Sequence, residues 1–307
     1  MRTWIIGSGG LFGSALVRAS ANPFVGSAIP WSNPGSALDA LRRSLEDFVA
    51  TTSGEWCIIW AAGHATTSSS QLEADRELDL FRTFIQLLEG QRPLGRGVFV
   101  FTSSAGGVYA GSASPPFTSD TSPAPLGTYG KLKLEQERSA SALTDHLPVV
   151  TLRLSNLYGP GQDLGKLQGV ISRLALAAIT REPITMFVPL DTMRDYIFTN
   201  DAAQRALHWA SECLEAQQSA TRIVASGQPE TLGHIIALMN DITRVRIPIA
   251  SGVHASAQAQ ARDLRLTPDT DPVIQRLPMT SLPAGMKQVF LDIRQRHASA
   301  SLSAALP

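Results

Sequence analysis

A chain of 307 residues is long enough for one large domain with a smaller lobe beside it. Hydrophobic residues make up 44% and charged residues 17%, which excludes a disordered chain; Lys+Arg and Asp+Glu are 26 each, which excludes the basic footprint of a nucleic-acid binder. Cys57 and Cys213 show neither a disulfide framework nor metal-ligand spacing, and no apolar run is long enough for a signal peptide or a membrane span, so a soluble, cytoplasmic protein is expected.

The chain opens on an apolar run, Thr3–Ile6, read as a strand. It passes through Gly7-Ser8-Gly9-Gly10-Leu11-Phe12-Gly13 into a helix over Leu11–Ala19. Glycines at 7, 10 and 13 let the backbone turn tightly and approach a pyrophosphate, to which the new helix offers free N–H groups and the positive end of its dipole. Backbone from Gly7, Gly10, Leu11, Phe12 and Gly13 is therefore expected to bind dinucleotide. The alternative G-x-G-x-x-G spacing fails at Phe12. A second strand is read at Ser27–Trp31, running out into Ser32 and Asn33. A carboxylate there would accept from the ribose hydroxyls of NAD. None is present, and Ser32 and Asn33 are able to donate to a 2′-phosphate, so the reading between NAD and NADP leans to NADP.

A helix follows at Ala37–Val49, then a third strand, Cys57–Trp60, ending in Ala61-Ala62-Gly63, residues small enough for adenosine and ribose to lie against them. His64 comes next and reads as a structural or solvated loop histidine. Ala74–Glu89 is helical. A fourth strand, Val98–Thr102, ends in the hydroxyls Ser103 and Ser104, and Ala105-Gly106-Gly107-Val108-Tyr109 follows. The next helix spans Tyr129–Leu143. Tyr129 and Lys133 stand four apart at its start and share one face. A free tyrosine titrates near pH ~10, and a neighbouring ammonium stabilises its phenolate, which suits a proton-transfer pair. A serine from the fourth strand's end would polarise the reacting oxygen; Ser104 is the choice and Ser103 the alternative.

A fifth strand at Val149–Leu154 completes an alternation of strands and helices that predicts a parallel sheet with helices on both faces. Beyond it, helices are read at about Val170–Thr180 and Ala202–Leu214, with strands near Ile184–Phe187 and Arg222–Ala225. The fold expected is α/β: a Rossmann-type doubly wound parallel sheet with a smaller C-terminal substrate-binding lobe. The sheet domain would take residues 1–155 and about 195–225, and the lobe about 156–194 and 226–297. The Ala/Ser-rich stretches Ala255–Ala261 and Ala298–Ala305 read as flexible surface and a frayed tail within 298–307.

Taken together, these motifs resemble the extended short-chain dehydrogenase/reductase family, the NAD-dependent epimerase/dehydratase group that acts mainly on nucleotide sugars. The resemblance runs over nearly the whole chain. It rests on the 7/10/13 glycines, Phe101-Thr102-Ser103-Ser104 through Tyr109, and the Tyr129/Lys133 pair. Two later stretches are specific to the extended branch: Leu152-Arg153-Leu154-Ser155-Asn156-Leu157-Tyr158-Gly159-Pro160-Gly161 and Arg194-Asp195-Tyr196-Ile197-Phe198-Thr199-Asn200-Asp201. The resemblance implies that backbone near Leu154 and Ser155 holds the nicotinamide amide, that Lys133 binds its ribose, that Asn156 contacts the substrate, and that Arg194 pairs with a diphosphate. A salt bridge from Arg194 to Asp195 or Asp201 is the alternative use of that guanidinium. Asp201 is expected to cap the helix beginning at Ala202. A homodimer, commonly built on the helix Ala74–Glu89, is also implied, although Arg82 stands where the family has glycine. No metal is expected.

Sugar dehydratases of the family carry an acid between the catalytic hydroxyl and the next tyrosine. Here that segment is Ala105-Gly106-Gly107-Val108, with none. The expected activity is a nucleotide-sugar epimerase working by transient hydride transfer. The alternative is an NADPH-dependent keto-sugar reductase. A non-catalytic dinucleotide-binding sensor would be expected to lack Tyr129 or Lys133, and both are present.

Overall fold

The computed structural model describes residues 1–165, 169–254, 257 and 260–304. In chain order the elements are β1 (Arg2–Ile6), α1 (Leu11–Ala19), β2 (Pro23–Phe24), α2 (Pro34–Thr51), β3 (Trp56–Trp60), α3 (Gln71–Gly90), β4 (Gly97–Ser104), α4 (Ala105–Val108), α5 (Thr128–Ala140) and β5 (Val149–Leu154). There follow β6 (Asn156–Tyr158), α6 (Val170–Thr180), β7 (Ile184–Met186), β8 (Met193–Phe198), α7 (Thr199–Ala216), β9 (Ala220–Val224), β10 (Pro229–Thr231), α8 (Leu232–Thr243), β11 (Ile249–Ser251), β12 (Asp263–Leu264) and α9 (Leu282–Ala304).

Six strands form one parallel sheet in the order β2-β1-β3-β4-β5-β9. Its strands are apolar throughout because each face is covered. Successive residues alternate between two cores. Ile5, Cys57, Ile59, Val98 and Val100 pack with Leu16 of α1 and Ala206 and Ala210 of α7. Trp4, Ile6, Ile58, Trp60, Phe99 and Phe101 pack with Leu41 of α2, Phe81 and Phe84 of α3 and Ala140 of α5. This is the doubly wound arrangement expected. The order reverses between β1 and β3, and in open α/β sheets ligands bind outside the carboxyl ends of the strands at such a point.

Beyond β5 the secondary structure is finer grained. Short strands β6, β10 and β12 all pair with β8, and β7 pairs with β11. Helices α6, α8 and α9 bury Leu174, Ile235, Met286 and Val289 in one core with Tyr158 and Phe198. A fourth cluster, Val108, Tyr109 and Phe117 with Ile223 and Leu264, fastens the segment after β4 to both parts.

Three expectations are corrected here. The second strand is Pro23–Phe24, not Ser27–Trp31. Phe24 wedges its ring against Trp4 and Phe48, at 5.9 and 5.1 Å between centroids, and so locks the register on β1. The apolar run that follows is irregular: Ser27 donates its N–H to the Ser44 hydroxyl, and Pro30 has no N–H for a ladder. Second, Asp201 does not cap a helix. The helix α7 starts earlier, at Thr199, and the Asp201 carboxylate accepts from both the N–H and the hydroxyl of Thr280. Third, the Ala/Ser run after 298 continues α9 to Ala304, as alanine's helix propensity allows. The stretch Ala255–Ala261 lies largely outside the described residues.

Candidate active site

The carboxyl ends of β1 and β3 meet closely. Gly7 has φ +91°, and a Cβ there would come within 2.8 Å of Ala62 backbone. Gly13, in the first turn of α1, lies so near that an added Cβ would stand 2.0 Å from the Gly7 carbonyl oxygen. Gly10 is the N-cap of α1, without a side-chain hydrogen bond to cap it, and its own Cβ position is 3.3 Å from Gly7 oxygen. A Cβ on Gly9 would meet no atom within 4 Å. The four glycines thus divide their work: Gly7 and Gly13 let strand end and helix approach, while Gly9 and Gly10 leave the uncapped helix N-terminus open. Phe12 is buried in the core, so only its backbone faces the loop, while Leu11 is half-buried. This is the cradle a pyrophosphate requires.

Ser32 and Asn33 are not at a strand end. Both are exposed, on the turn that leads into α2, and the Asn33 side chain accepts from Ser36 N–H as the helix cap. The NADP reading built on their placement loses its ground. What the segment brings to the strand ends is Trp31, whose ring stands edge-on to Trp60 at 6.3 Å, just before Ala61, Ala62 and Gly63.

At the next strand end, β4 separates the two serines. Ser103 is buried and donates to the Glu137 carboxylate at 2.5 Å. Glu137 also receives Arg153, through Nε at 3.1 Å and Nη2 at 2.8 Å, and Arg153 donates to the Tyr109 hydroxyl at 2.5 Å, which donates in turn to Thr118 oxygen. The Ser103 hydroxyl is thereby committed to a buried structural network. Ser104 is half-buried; its hydroxyl accepts from Gly107 N–H at 3.2 Å and caps α4. Gly107 is the surface on which Tyr129 rests: a Cβ there would be 3.2 Å from the Tyr129 ring. The Lys133 ammonium, buried, lies 5.2 Å from the centre of the Phe101 ring and 5.9 Å from that of Tyr129. Glu77 of α3, not anticipated from the sequence, stands 4.0 Å from it. Nothing in an amphipathic helix marks one of its glutamates as facing a lysine 56 positions on.

Further along, Leu154 ends β5 buried, and Ser155 N–H donates to Val224 oxygen across the sheet. Asn156 opens β6, exposed, its side-chain amide donating to Asp195 oxygen at 3.0 Å. Asp195 itself accepts from the N–H and hydroxyl of Ser226; burial raises its carboxyl above the usual range despite those bonds. Arg194 is buried on β8, donating to the Met193 carbonyl at 2.7 Å and to Gln260 at 3.5 Å. Among the described residues no carboxylate forms an ion pair with it, so neither salt bridge considered for it is made, and burial lowers its proton affinity. Among the described residues no cluster of His, Cys, Asp or Glu has the makings of a metal site, and no helix is long and apolar enough to cross a membrane.

The sequence profile of the NAD dependent epimerase/dehydratase family matches residues 4–225. The chain belongs to this family. It is 35% identical over 108 residues to a dTDP-4-dehydro-6-deoxyglucose reductase from Escherichia coli, a match covering 34% of either chain. It is 30% identical over 115 residues to a dTDP-L-rhamnose 4-epimerase from Burkholderia thailandensis, covering 36% of this chain and 31% of that one. These matches span about a third of each relative's length. Solved structures share the whole fold of this epimerase-family chain at lower identity. MoeE5 in complex with UDP-glucose and NAD superposes with a TM-score of 0.75 at 20% identity, covering 97% of this chain and 100% of that one. UDP-glucose 4-epimerase from Thermotoga maritima gives 0.75 at 17%, with the same coverage.

Proposed function

We propose that this chain is a nucleotide-sugar epimerase with a Ser104-Tyr129-Lys133 centre and NAD as cofactor. The observation that carries the reading is the buried Lys133 ammonium set against the Tyr129 ring, beside an α4 segment without a single acid. The uncapped N-terminus of α1 and the open Cβ position of Gly9 fit a pyrophosphate, and Ala61, Ala62 and Gly63 leave room for the adenosine half. NAD, when bound, supplies a hydride acceptor and donor. Tyr129, as the phenolate that the Lys133 ammonium stabilises, takes the proton of a ring hydroxyl and becomes the neutral phenol, while the Ser104 hydroxyl donates to the reacting oxygen. Asn156 would contact the sugar, and Arg194, which pairs with no carboxylate among the described residues, would give the diphosphate its counter-charge. With no acid between Ser104 and Tyr109, this segment offers no group for an elimination, which favours epimerisation over dehydration.

The test is incubation with UDP- and dTDP-hexoses and NAD, read by chromatography of the epimers. Interconversion without net change in NADH is expected. Tyr129→Phe keeps the ring on Gly107 but removes the transferable proton, and should lower turnover ~10²–10⁴-fold with dinucleotide affinity nearly unchanged. Wild-type rates in that variant would remove Tyr129 from the centre. A keto-sugar reductase is the second reading, favoured by the identity to the Escherichia coli reductase. Stoichiometric consumption of NADH or NADPH on a 4-keto sugar, with no epimerisation, would establish it instead.

A further inference from the structure

Glu77 is held where four neighbouring residues converge on one carboxylate. A capping box at Ser70 and Glu73 sets the start of α3 and brings Glu77, one turn later, round to face α5. Its carboxylate is largely buried, with 12% of the side chain exposed. Oε2 accepts from the backbone N–H groups of His64 and Ala65, at 2.7 and 2.8 Å. Oε1 accepts from Gln136 of α5 at 3.4 Å and lies 4.0 Å from the Lys133 ammonium. Gly63 completes the arrangement: a Cβ there would be 3.2 Å from Glu77 Oε1 and 3.5 Å from Lys133 Nζ.

We propose that Glu77 is a positioning residue that binds the β3–α3 loop and Lys133 into one unit and moderates the ammonium's pull on the Tyr129 hydroxyl. The inference rests on the Tyr129–Lys133 reading above. The loop it grips directly follows Ala61, Ala62 and Gly63, so the cofactor wall and the proton-transfer pair are fixed to the same two oxygens. Electrostatically, a carboxylate 4.0 Å from Lys133 offsets part of the positive field felt by the phenolate. The other charged and titratable groups nearby are few. Glu137, one turn beyond Lys133 on α5, is paired with Arg153 of β5. From β4 come Phe101, Ser103 and Ser104, all uncharged, and the loop adds His64.

The test uses the four tyrosines of the chain. Burial raises the hydroxyls of Tyr109 and Tyr158, and pushes that of Tyr196 up to about 12. In an ultraviolet difference titration, the phenolate step of Tyr129 is identified as the one that Tyr129→Phe loses. In Glu77→Gln, which keeps the shape and removes the charge, the step should move down by about 0.5–1 pH unit. Glu77→Asp keeps the charge but withdraws it from the loop; the step should stay in place while the Kd for NAD, by calorimetry, rises ~3–10-fold. An unmoved step in Glu77→Gln overturns the electrostatic role, and unchanged NAD affinity in Glu77→Asp overturns the tether, which also decides the matter should Glu77→Gln not fold. If Tyr129→Phe retains full turnover, it is the Tyr129–Lys133 reading that fails.

Discussion

Two adjacent serines at the end of one strand do different work because successive residues of a strand face opposite ways. Ser103 points at α5 with Arg153, its partner in the parallel ladder, and both bind Glu137. Ser104 is the last residue of β4 and turns its hydroxyl into the start of α4, where it accepts one N–H and retains its own proton to donate. The two alanine variants should therefore fail differently. Ser104→Ala is expected to leave the fold standing and lower turnover about 10–10³-fold, the usual cost of one donor to a developing negative charge. Ser103→Ala takes a partner from a buried carboxylate and should cost stability, about 1–3 kcal/mol, with a smaller effect on rate. Urea unfolding beside turnover on the active hexose separates them. If Ser103→Ala is the one that loses activity at unchanged stability, the assignment of the two is reversed.

At the scale of elements, α5 is fastened to the sheet by a buried ion pair as well as by packing. Arg153 of β5 reaches Glu137 and Tyr109 from the same guanidinium, and its plane lies 5.1 Å from the Tyr109 ring centre. Replacing it by methionine strands the Glu137 carboxylate and should destabilise the protein by about 3–5 kcal/mol; Arg153→Met with Glu137→Leu should recover much of the loss. Denaturation midpoints of the two variants decide this, and equal losses would mean that the pair does not hold α5. The sequence makes the glycine loop, the Tyr129/Lys133 spacing and β3 to β5 legible, because each is written locally, in consecutive residues or in one helical turn. Helices α1 and α6 begin and end where the pattern puts them. The rest depends on meetings that no window contains. The strand β2 is two residues long and owes its place to Phe24 against Trp4 and Phe48, while the apolar residues Ile29 and Trp31 pack outside any ladder. Glu77 and Lys133 meet only once α3 and α5 are laid side by side, as do Asp201 and Thr280, 79 positions apart. The strands after β5 are mostly two or three residues long, too short for an alternation to show.

Considered as a whole, the molecule places the glycine loop, the cradle proposed for the dinucleotide, at the end of its large sheet and, on the small one, a buried guanidinium that forms no ion pair among the described residues. That separation allows the two half-sites to be tested independently through ligand-linked stability, which needs no knowledge of the sugar. A ligand that binds only the folded protein stabilises it by about 2.7 kcal/mol at a hundred times its Kd. NAD should raise the melting temperature of wild type, and UDP or dTDP should raise it further. Gly10→Val, with a branched side chain at the uncapped helix start, should lose the NAD shift and keep the nucleotide shift. Arg194→Met should do the reverse. Arg194 is buried with two oxygen acceptors and, among the described residues, no ion-pair partner, so the desolvation of its charge outweighs the pull of Asp263 and Tyr196. Exchanging a buried charge for a well-packed apolar side chain is often neutral or stabilising by about 1–4 kcal/mol. The empty Arg194→Met protein should thus melt at the wild-type temperature or above it, while its response to the diphosphate disappears. A large loss of stability without nucleotide would mean that Arg194 is there to hold β8 through its carbonyl contact. A nucleotide shift that survives the substitution would place the diphosphate elsewhere.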